Sequence, residues 1–236
     1  MAGSASTAFA LPARPITKET LQDQVYRQMS DLILNGEIAP GQTVTIQAMA
    51  DAFGVSAMPV REALHRLTAA KALTVISGRS IGIPPLSAAR LLDLKQVRIE
   101  VEGLAGAWAA GHATPSAIAE LEGALATLSE AANKGDVRAY LRANRRFHFT
   151  IYRSAGSDVL IAIIESLWLQ ISPFFHLLHA SGNYAVSNRE HTQMLRALRK
   201  GDPGKLRESI IADIEAAASV LRAQLDAVPT SGGEAI

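Results

Sequence analysis

The stretch Met58-Pro59-Val60-Arg61-Glu62-Ala63-Leu64-His65-Arg66-Leu67 holds the side chains best suited to recognition chemistry. Drawn as a helix from Ala57, it puts Val60, Leu64 and Leu67 on one face and Ala57, Arg61 and His65 on another. A guanidinium on the second face can give a bidentate pair to a guanine edge or neutralise a phosphate. Arg66 lies off to the side, where it suits a phosphate backbone. Arg79, between two short strand-like runs, can reach a minor groove or a phosphate. The N–H groups at the head of such a helix favour phosphate as well. For each arginine the plain alternative is a solvated surface side chain. A second pair, Arg98 and Glu102, stands four residues apart. If Arg98 faces a helical interior it needs an anion, either Glu102 or a bound one.

The elements that must carry these residues can be drawn from periodicity. From Thr17 to Asn35 the apolar positions Leu21, Val25, Met29 (or Leu32) and Ile33 recur at three to four residues, with Thr17 or Thr20 as cap and Asn35-Gly36 as stop. Pro40-Gly41 reads as a turn. A short helix is expected over Ile46 to Phe53, capped by Thr45 and stopped by Gly54. A third runs from Ala57 to about Ala70, with Ser56 as cap and Pro59 harmlessly inside the first turn. Leu73 to Ser77 and Ser80 to Ile83 flank Gly78-Arg79 as a two-stranded hairpin. Three helices and such a wing form a known DNA-reading unit, the third helix lying in the major groove with its N-terminal residues towards the bases. Pro84-Pro85 marks the expected domain boundary, with Ser87 capping the next helix. From Ala88 to Ala227 the chain reads as about six helices, broken at Thr114-Pro115, Gly135-Asp136, Gly156-Ser157, Ser181-Gly182 and Gly201 to Gly204. Short loops imply an antiparallel bundle.

The expected organisation is therefore mainly α. It comprises a flexible arm (1–16), a winged helix-turn-helix domain (17–85), an all-helical bundle (86–227), to which a family resemblance adds effector binding and dimerisation, and a disordered tail (228–236). Composition agrees: 48% of the 236 residues are hydrophobic, enough for real cores, while aromatics are only 5%. The absence of cysteine excludes disulfides, zinc fingers and thiol nucleophiles, and fits a reducing cytoplasm. No uninterrupted apolar run reaches the roughly 18 residues that span a bilayer, so no membrane partner is expected. The net charge of +1 announces nothing, but Gly54 to Pro85 carries an excess of three positive charges.

Asn35-Gly36-Glu37-Ile38-Ala39-Pro40-Gly41, Met49-Ala50-Asp51-Ala52-Phe53-Gly54-Val55-Ser56 and the run Met58 to Leu67 resemble the GntR family of bacterial regulators, over about Leu21 to Leu86. The resemblance implies a DNA-facing set of Gln47, Ser56, Ala57, Met58, Arg61, His65, Arg66 and Arg79. Two positions depart from it. The family usually has an arginine that reads guanine where this chain has Ala57, and often another where it has Gln47. Base readout is then expected to lean on Arg61, Gln47 and the wing.

The second half resembles the FadR branch of that family, whose FCD-type effector domain is a helical bundle. The resemblance rests on Arg98 and Glu102, Asn144-Arg145-Arg146-Phe147-His148, Glu190-His191 and Leu198 to Asp202. Many members hold a divalent metal through an acid, a histidine four residues later and two further histidines. The matching positions here are Asn144, His148, His191 and Asp213. Two histidines are kept, and one carboxylate survives on a different helix. Zinc, nickel or manganese can each use such donors. The alternative is a pair of buried histidines bonded to their neighbours. The resemblance also implies a small organic acid as effector, with Arg98 as its anchor. His176, His179, Trp168 and Phe175 are expected on the fifth bundle helix, shaping core and pocket. The leading reading is a homodimeric repressor on a palindromic operator in double-stranded DNA. Two others stand beside it: a constitutively bound dimer whose bundle is only a scaffold, and a metal-dependent hydrolase. The hydrolase lacks any recognisable general base, nucleophile motif or phosphate-cradling glycine loop.

Overall fold

The computed structural model describes residues 20–77, 80–179 and 183–227. The expected arm and tail, Thr17, the Gly78-Arg79 turn with its arginine, and the Ser181-Gly182 break lie outside the described residues.

Helix α1 (Leu21–Leu34) starts at Thr20, whose Oγ1 accepts the Asp23 N–H at 3.2 Å. Val25, Met29 and Ile33 are its buried stripe, so the period runs through Met29. Strand β1 (Thr43–Thr45) leads into α2 (Ile46–Phe53), capped by Thr45 and ended by Gly54 in the left-handed conformation. Then come α3 (Ala57–Ala69), β2 (Thr74–Ser77) and β3 (Ser80–Gly82). Val60, Leu64 and Leu67 of α3 are buried, and α3 packs on α1.

The two-stranded wing needs correcting. The sheet has three antiparallel strands in the order β1-β3-β2, with Val44 opposite Ile81 and Thr43 opposite Gly82. A three-residue strand is too short to show a period of two, and only pairing with β3 defines it. The strands are also shorter than read, because Leu73 and Ile83 leave the ladder to enter the core.

Six α-helices form the second half of the described residues. They are α4 (Ala88–Ala109), α5 (Pro115–Lys134), α6 (Val137–Ser154), α7 (Asp158–Ile171), α8 (Asn183–Lys200) and α9 (Pro203–Ala227). Ser87, Thr114, Asp136 and Ser157 cap four of them with side-chain oxygens, as short polar residues before apolar runs should. The bundle pairs α4 with α9, α5 with α6, and α8 with α9. Trp168, Phe175, His176 and His179 do not share a helix. Trp168 lies in the last turn of α7, Phe175 and His176 belong to a 3-10 segment (Ser172–Leu178), and His179 comes after it, exposed against the Tyr184 ring. Pro173 lacks the N–H an α-helix would need there, and the chain tightens instead.

Asp158 to Leu178 is 21 residues with a mean hydropathy of 1.5, long and apolar enough by composition to cross a bilayer. Asp158 begins it and Glu165 interrupts it, so it is not an uninterrupted apolar run. Half of its apolar window is buried inside the protein, where it packs on α4 and α6 as a core element.

The two halves meet at one corner. Arg138, Leu141, Arg142 and Arg145 of α6 recur at helical spacing and close on the end of α1. Arg145 binds Asp31 at 2.7 Å and the Asn35 side chain at 3.2 Å, while Arg142 and Arg138 reach Glu37 at 3.3 and 3.6 Å. Leu141 sits so near Gly36 (φ +69°) that a Cβ there would lie 2.8 Å from its Cδ1. Only glycine meets both demands, the left-handed backbone and the close approach.

Candidate DNA interface and buried histidine centre

On α3, Arg61 and His65 are exposed on one face, and among the described residues no ion pair engages Arg61. Gln47 is exposed on α2, its Nε2 donating to Asp51 Oδ1 at 2.8 Å, which holds the amide along the helix. Ser56 occupies the cap position of α3 in extended backbone, but its side chain makes no cap hydrogen bond. The expected Ser56 cap is therefore positional only, and its hydroxyl is left facing outward. Ala57 is half-buried and Met58 is 62% exposed. Arg66 does not stand free for a phosphate. It pairs with Asp23 at 2.9 Å and lies 3.8 Å over the Tyr26 ring, tying α3 to α1.

The second cluster is buried. Arg98 on α4 pairs with Glu102 one turn on, Nε to Oε1 at 2.5 Å, and Glu102 is fully buried. Of the two readings of Arg98 the intra-bundle salt bridge is formed, while the arginine also lines the central cavity. Burial opposes its charge, and the Glu102 carboxylate more than restores it. The Tyr152 hydroxyl donates to Glu102 Oε2 at 2.5 Å and lies 3.0 Å from His148 Nδ1. With its proton committed to a carboxylate, that hydroxyl can only accept from the ring. His148 Nδ1 therefore carries the hydrogen, and Nε2 is a bare lone pair. Burial, then the neighbouring carboxylate, pushes the tyrosine's ionisation far above its usual range, so it stays a phenol.

His148 Nε2 faces His191 Nε2 at 3.0 Å and Asp213 Oδ2 at 3.4 Å, and donor atoms of all three residues lie within 4.8 Å of one another. Two nitrogens bound at about 2.1 Å to one ion at right angles stand about 3.0 Å apart, so the spacing suits a divalent metal. The residues fit such an ion in type as well, as two imidazoles and a carboxylate. Ser187 donates to Asp213 Oδ1 at 2.5 Å and orients it. Asn144, one turn before His148 on α6, lines the same cavity. Burial alone would raise Asp213, yet the neighbouring His148 and His191 and the Ser187 hydroxyl that donates to it hold it down at about 2. The cavity itself is about 20 Å³, room for one water or ion. Around it the buried Trp168 Nε1 and Tyr184 hydroxyl, like His191 Nδ1, have no hydrogen-bond partner among the described residues.

Sequence reasoning missed Tyr152 and Ser187. Each stands four residues from a histidine on that histidine's own helix. An i, i+4 search around His148 and His191 would have found both.

Burial, with a lesser push from His148, holds the His191 imidazole down to about 3, against the pull of Asp213. An unfolded imidazole protonates near 6.5. Between those values the unfolded chain binds a proton that the folded one refuses, so stability is full above about 6.5 and falls as the pH drops towards about 3. For metal-free protein we expect a loss of about 1.4 kcal/mol per pH unit from this group. Urea midpoints across that range measure it. His191→Gln should flatten the slope by one proton, and an unchanged slope would show that the ring titrates freely.

Comparison with known proteins agrees with both halves. Residues 21–83 match the bacterial regulatory proteins of the gntR family, and residues 93–216 match the FCD domain. The chain is 33% identical to the HTH-type transcriptional regulator McbR of Escherichia coli over 183 residues, 76% of this chain and 82% of that protein. It is 26% identical to a probable D-xylose utilization operon transcriptional repressor of Paenarthrobacter nicotinovorans, over 81% and 84% of the two chains. The solved structure of Escherichia coli McbR/YncC superposes with a TM-score of 0.80 at 29% identity, covering 88% of this chain and 99% of that one. These relatives are transcriptional regulators and not enzymes. With a DNA-reading helix in one half and a helical bundle in the other, the chain belongs to the GntR family of bacterial transcriptional regulators, in the group that carries an FCD domain.

Proposed function

We propose that this regulator is a cytoplasmic homodimeric repressor whose operator affinity is set by a small organic acid bound in the bundle cavity, on a divalent ion held by His148, His191, Asp213 and Asn144. The observation that carries this reading is the convergence of the buried His148 Nε2, His191 Nε2 and Asp213 carboxylate, with His148 and Asp213 on the wall of the central cavity. The unpartnered Trp168 and Tyr184 donors on its wall favour a ligand rich in acceptor oxygens. Bound there, zinc, nickel or manganese supplies open positions for a carboxylate. Arg98, paired with Glu102, lines the cavity as the anchor for the acid, and Tyr152 fixes the His148 tautomer.

The same helix can pass the signal on. Asn144 and His148 lie on one face of α6, and Arg138, Arg142 and Arg145 on an adjacent one that grips the end of α1. A ligand that shifts or stiffens α6 changes how the DNA-reading half is held. Dimerisation has a matching surface: Val97, Val101, Leu104 and Trp108 recur along α4, and Val97, Leu104 and Trp108 are 37–47% exposed. An apolar stripe at that spacing suits a second copy of the same helix, and two-fold symmetry then calls for a palindromic site. A repressor among the relatives supports repression.

The test is operator affinity with and without each metal and a panel of mono- and dicarboxylates. An acid that binds the bundle by calorimetry should change affinity about fivefold or more, and Asp31→Asn with Glu37→Gln should reduce that coupling. An acid that binds at saturation yet leaves DNA affinity unchanged would sink the coupling.

A further inference from the structure

The head of α3 is apolar where the rest of its outward stripe is polar. Met58, Arg61 and His65 stand at i, i+3 and i+7, so they lie one above another along the same side of the helix. Met58 is 62% exposed, an unbranched apolar side chain directed at solvent, while Pro59 and Val60 beside it are buried and anchor the turn. Ala57 adds a methyl group next to it, and the Ser56 hydroxyl caps nothing. Neither Ala57 nor Met58 can donate a hydrogen bond from its side chain or neutralise a phosphate.

In the major groove only one base edge offers an apolar group, the C5-methyl of thymine. The residues at the head of a recognition helix are the ones that meet base edges. The rise from Met58 to Arg61 is about 4.5 Å along the helix, between one and two base-pair steps of about 3.4 Å, so the two side chains reach neighbouring base pairs. We infer that Ala57 and Met58 are specificity-determining residues that read thymine: the Met58 thioether packs on a C5-methyl in each half-site, while Arg61 addresses the neighbouring base pair. This rests on the DNA binding of the family and is independent of the proposed effector control.

The experiment uses the full-length protein and a random duplex library. Selected half-sites should share a thymine at a fixed position. Replacing that thymine by uracil removes only the methyl group and should weaken binding about fourfold per half-site, the equivalent of one methyl left unburied. Met58→Ala should lose most of this sensitivity and Met58→Leu should keep it. Thermal melting should be unchanged in both, since the side chain is exposed. Uracil tolerance at every thymine of the selected sites overturns the inference, as does full uracil sensitivity in Met58→Ala. Failure to bind any duplex at all would instead mean that the DNA reading itself is wrong.

Discussion

Arg98→Met should lower the stability of the folded protein by about 3–5 kcal/mol. The change keeps most of the side chain's volume beside Trp168 and Phe175, whose rings lie 5.6 and 5.7 Å from the guanidinium carbon. It removes the charge that neutralises Glu102, which is fully buried and would be left with the Tyr152 hydroxyl alone. A buried carboxylate without its cation is far costlier than the pair was favourable. Replacing both partners, Arg98→Met with Glu102→Leu, should therefore recover much of the loss. Urea unfolding of the two single variants and the double variant gives the coupling directly. A cost below about 1 kcal/mol for Arg98→Met would mean that water reaches Glu102 in solution.

The second large effect is metal-dependent stabilisation. Protein stripped with a chelator and then given zinc, nickel or manganese at about 100 times the dissociation constant should gain about 2.7 kcal/mol by mass action. For a chain of this size that is a rise in melting temperature of about 5–10 °C. His148→Ala removes the donor nearest to both other ligands and should abolish the rise. Tyr152→Phe is the informative companion. It leaves all three ligands in place but frees the His148 tautomer, so the metal should still bind, about 10- to 100-fold more weakly. No rise with any metal in the wild type would leave the cluster as a hydrogen-bonded core and Arg98 as the anchor for an effector. A rise that persists in His148→Ala would put the ion elsewhere.

How much of this is legible in the sequence depends on how local each feature is. Helices α1 to α3 and the bundle helices announce themselves through apolar periodicity and through caps such as Thr20, Thr45, Ser87 and Thr114, whose physics involves neighbours three or four residues away. The recognition-helix run and the GntR resemblance agree with the family matches. Strand β1 is invisible there because its partner among the described residues is some 37 residues downstream, in a register no local pattern encodes. The Asp23–Arg66 clamp, which withdraws a cation from the DNA-facing set, spans 43 residues and escapes for the same reason. At the histidine cluster the sequence points to His148, His191 and Asp213 through resemblance alone. That His148 lies 3.4 Å from Asp213 is a property of how α6, α8 and α9 cross, which side-chain spacing along one helix cannot reveal.

The small volume at the centre of the bundle has a kinetic consequence. A space of about 20 Å³ holds one water-sized guest, so the proposed organic acid would need part of the wall to move aside. Phe175 and Leu178 belong to that wall, and they sit in the 3-10 segment, a winding whose hydrogen-bond geometry is poorer than that of an α-helix. Association of such an acid would then wait for this segment to open, and its rate would fall below the diffusional encounter rate however tightly the acid is finally held. The same closure delays departure. If the proposed effector control holds, a regulator built this way would answer the average concentration of the acid over the lifetime of the closed state, and brief fluctuations would pass without a change in operator occupancy.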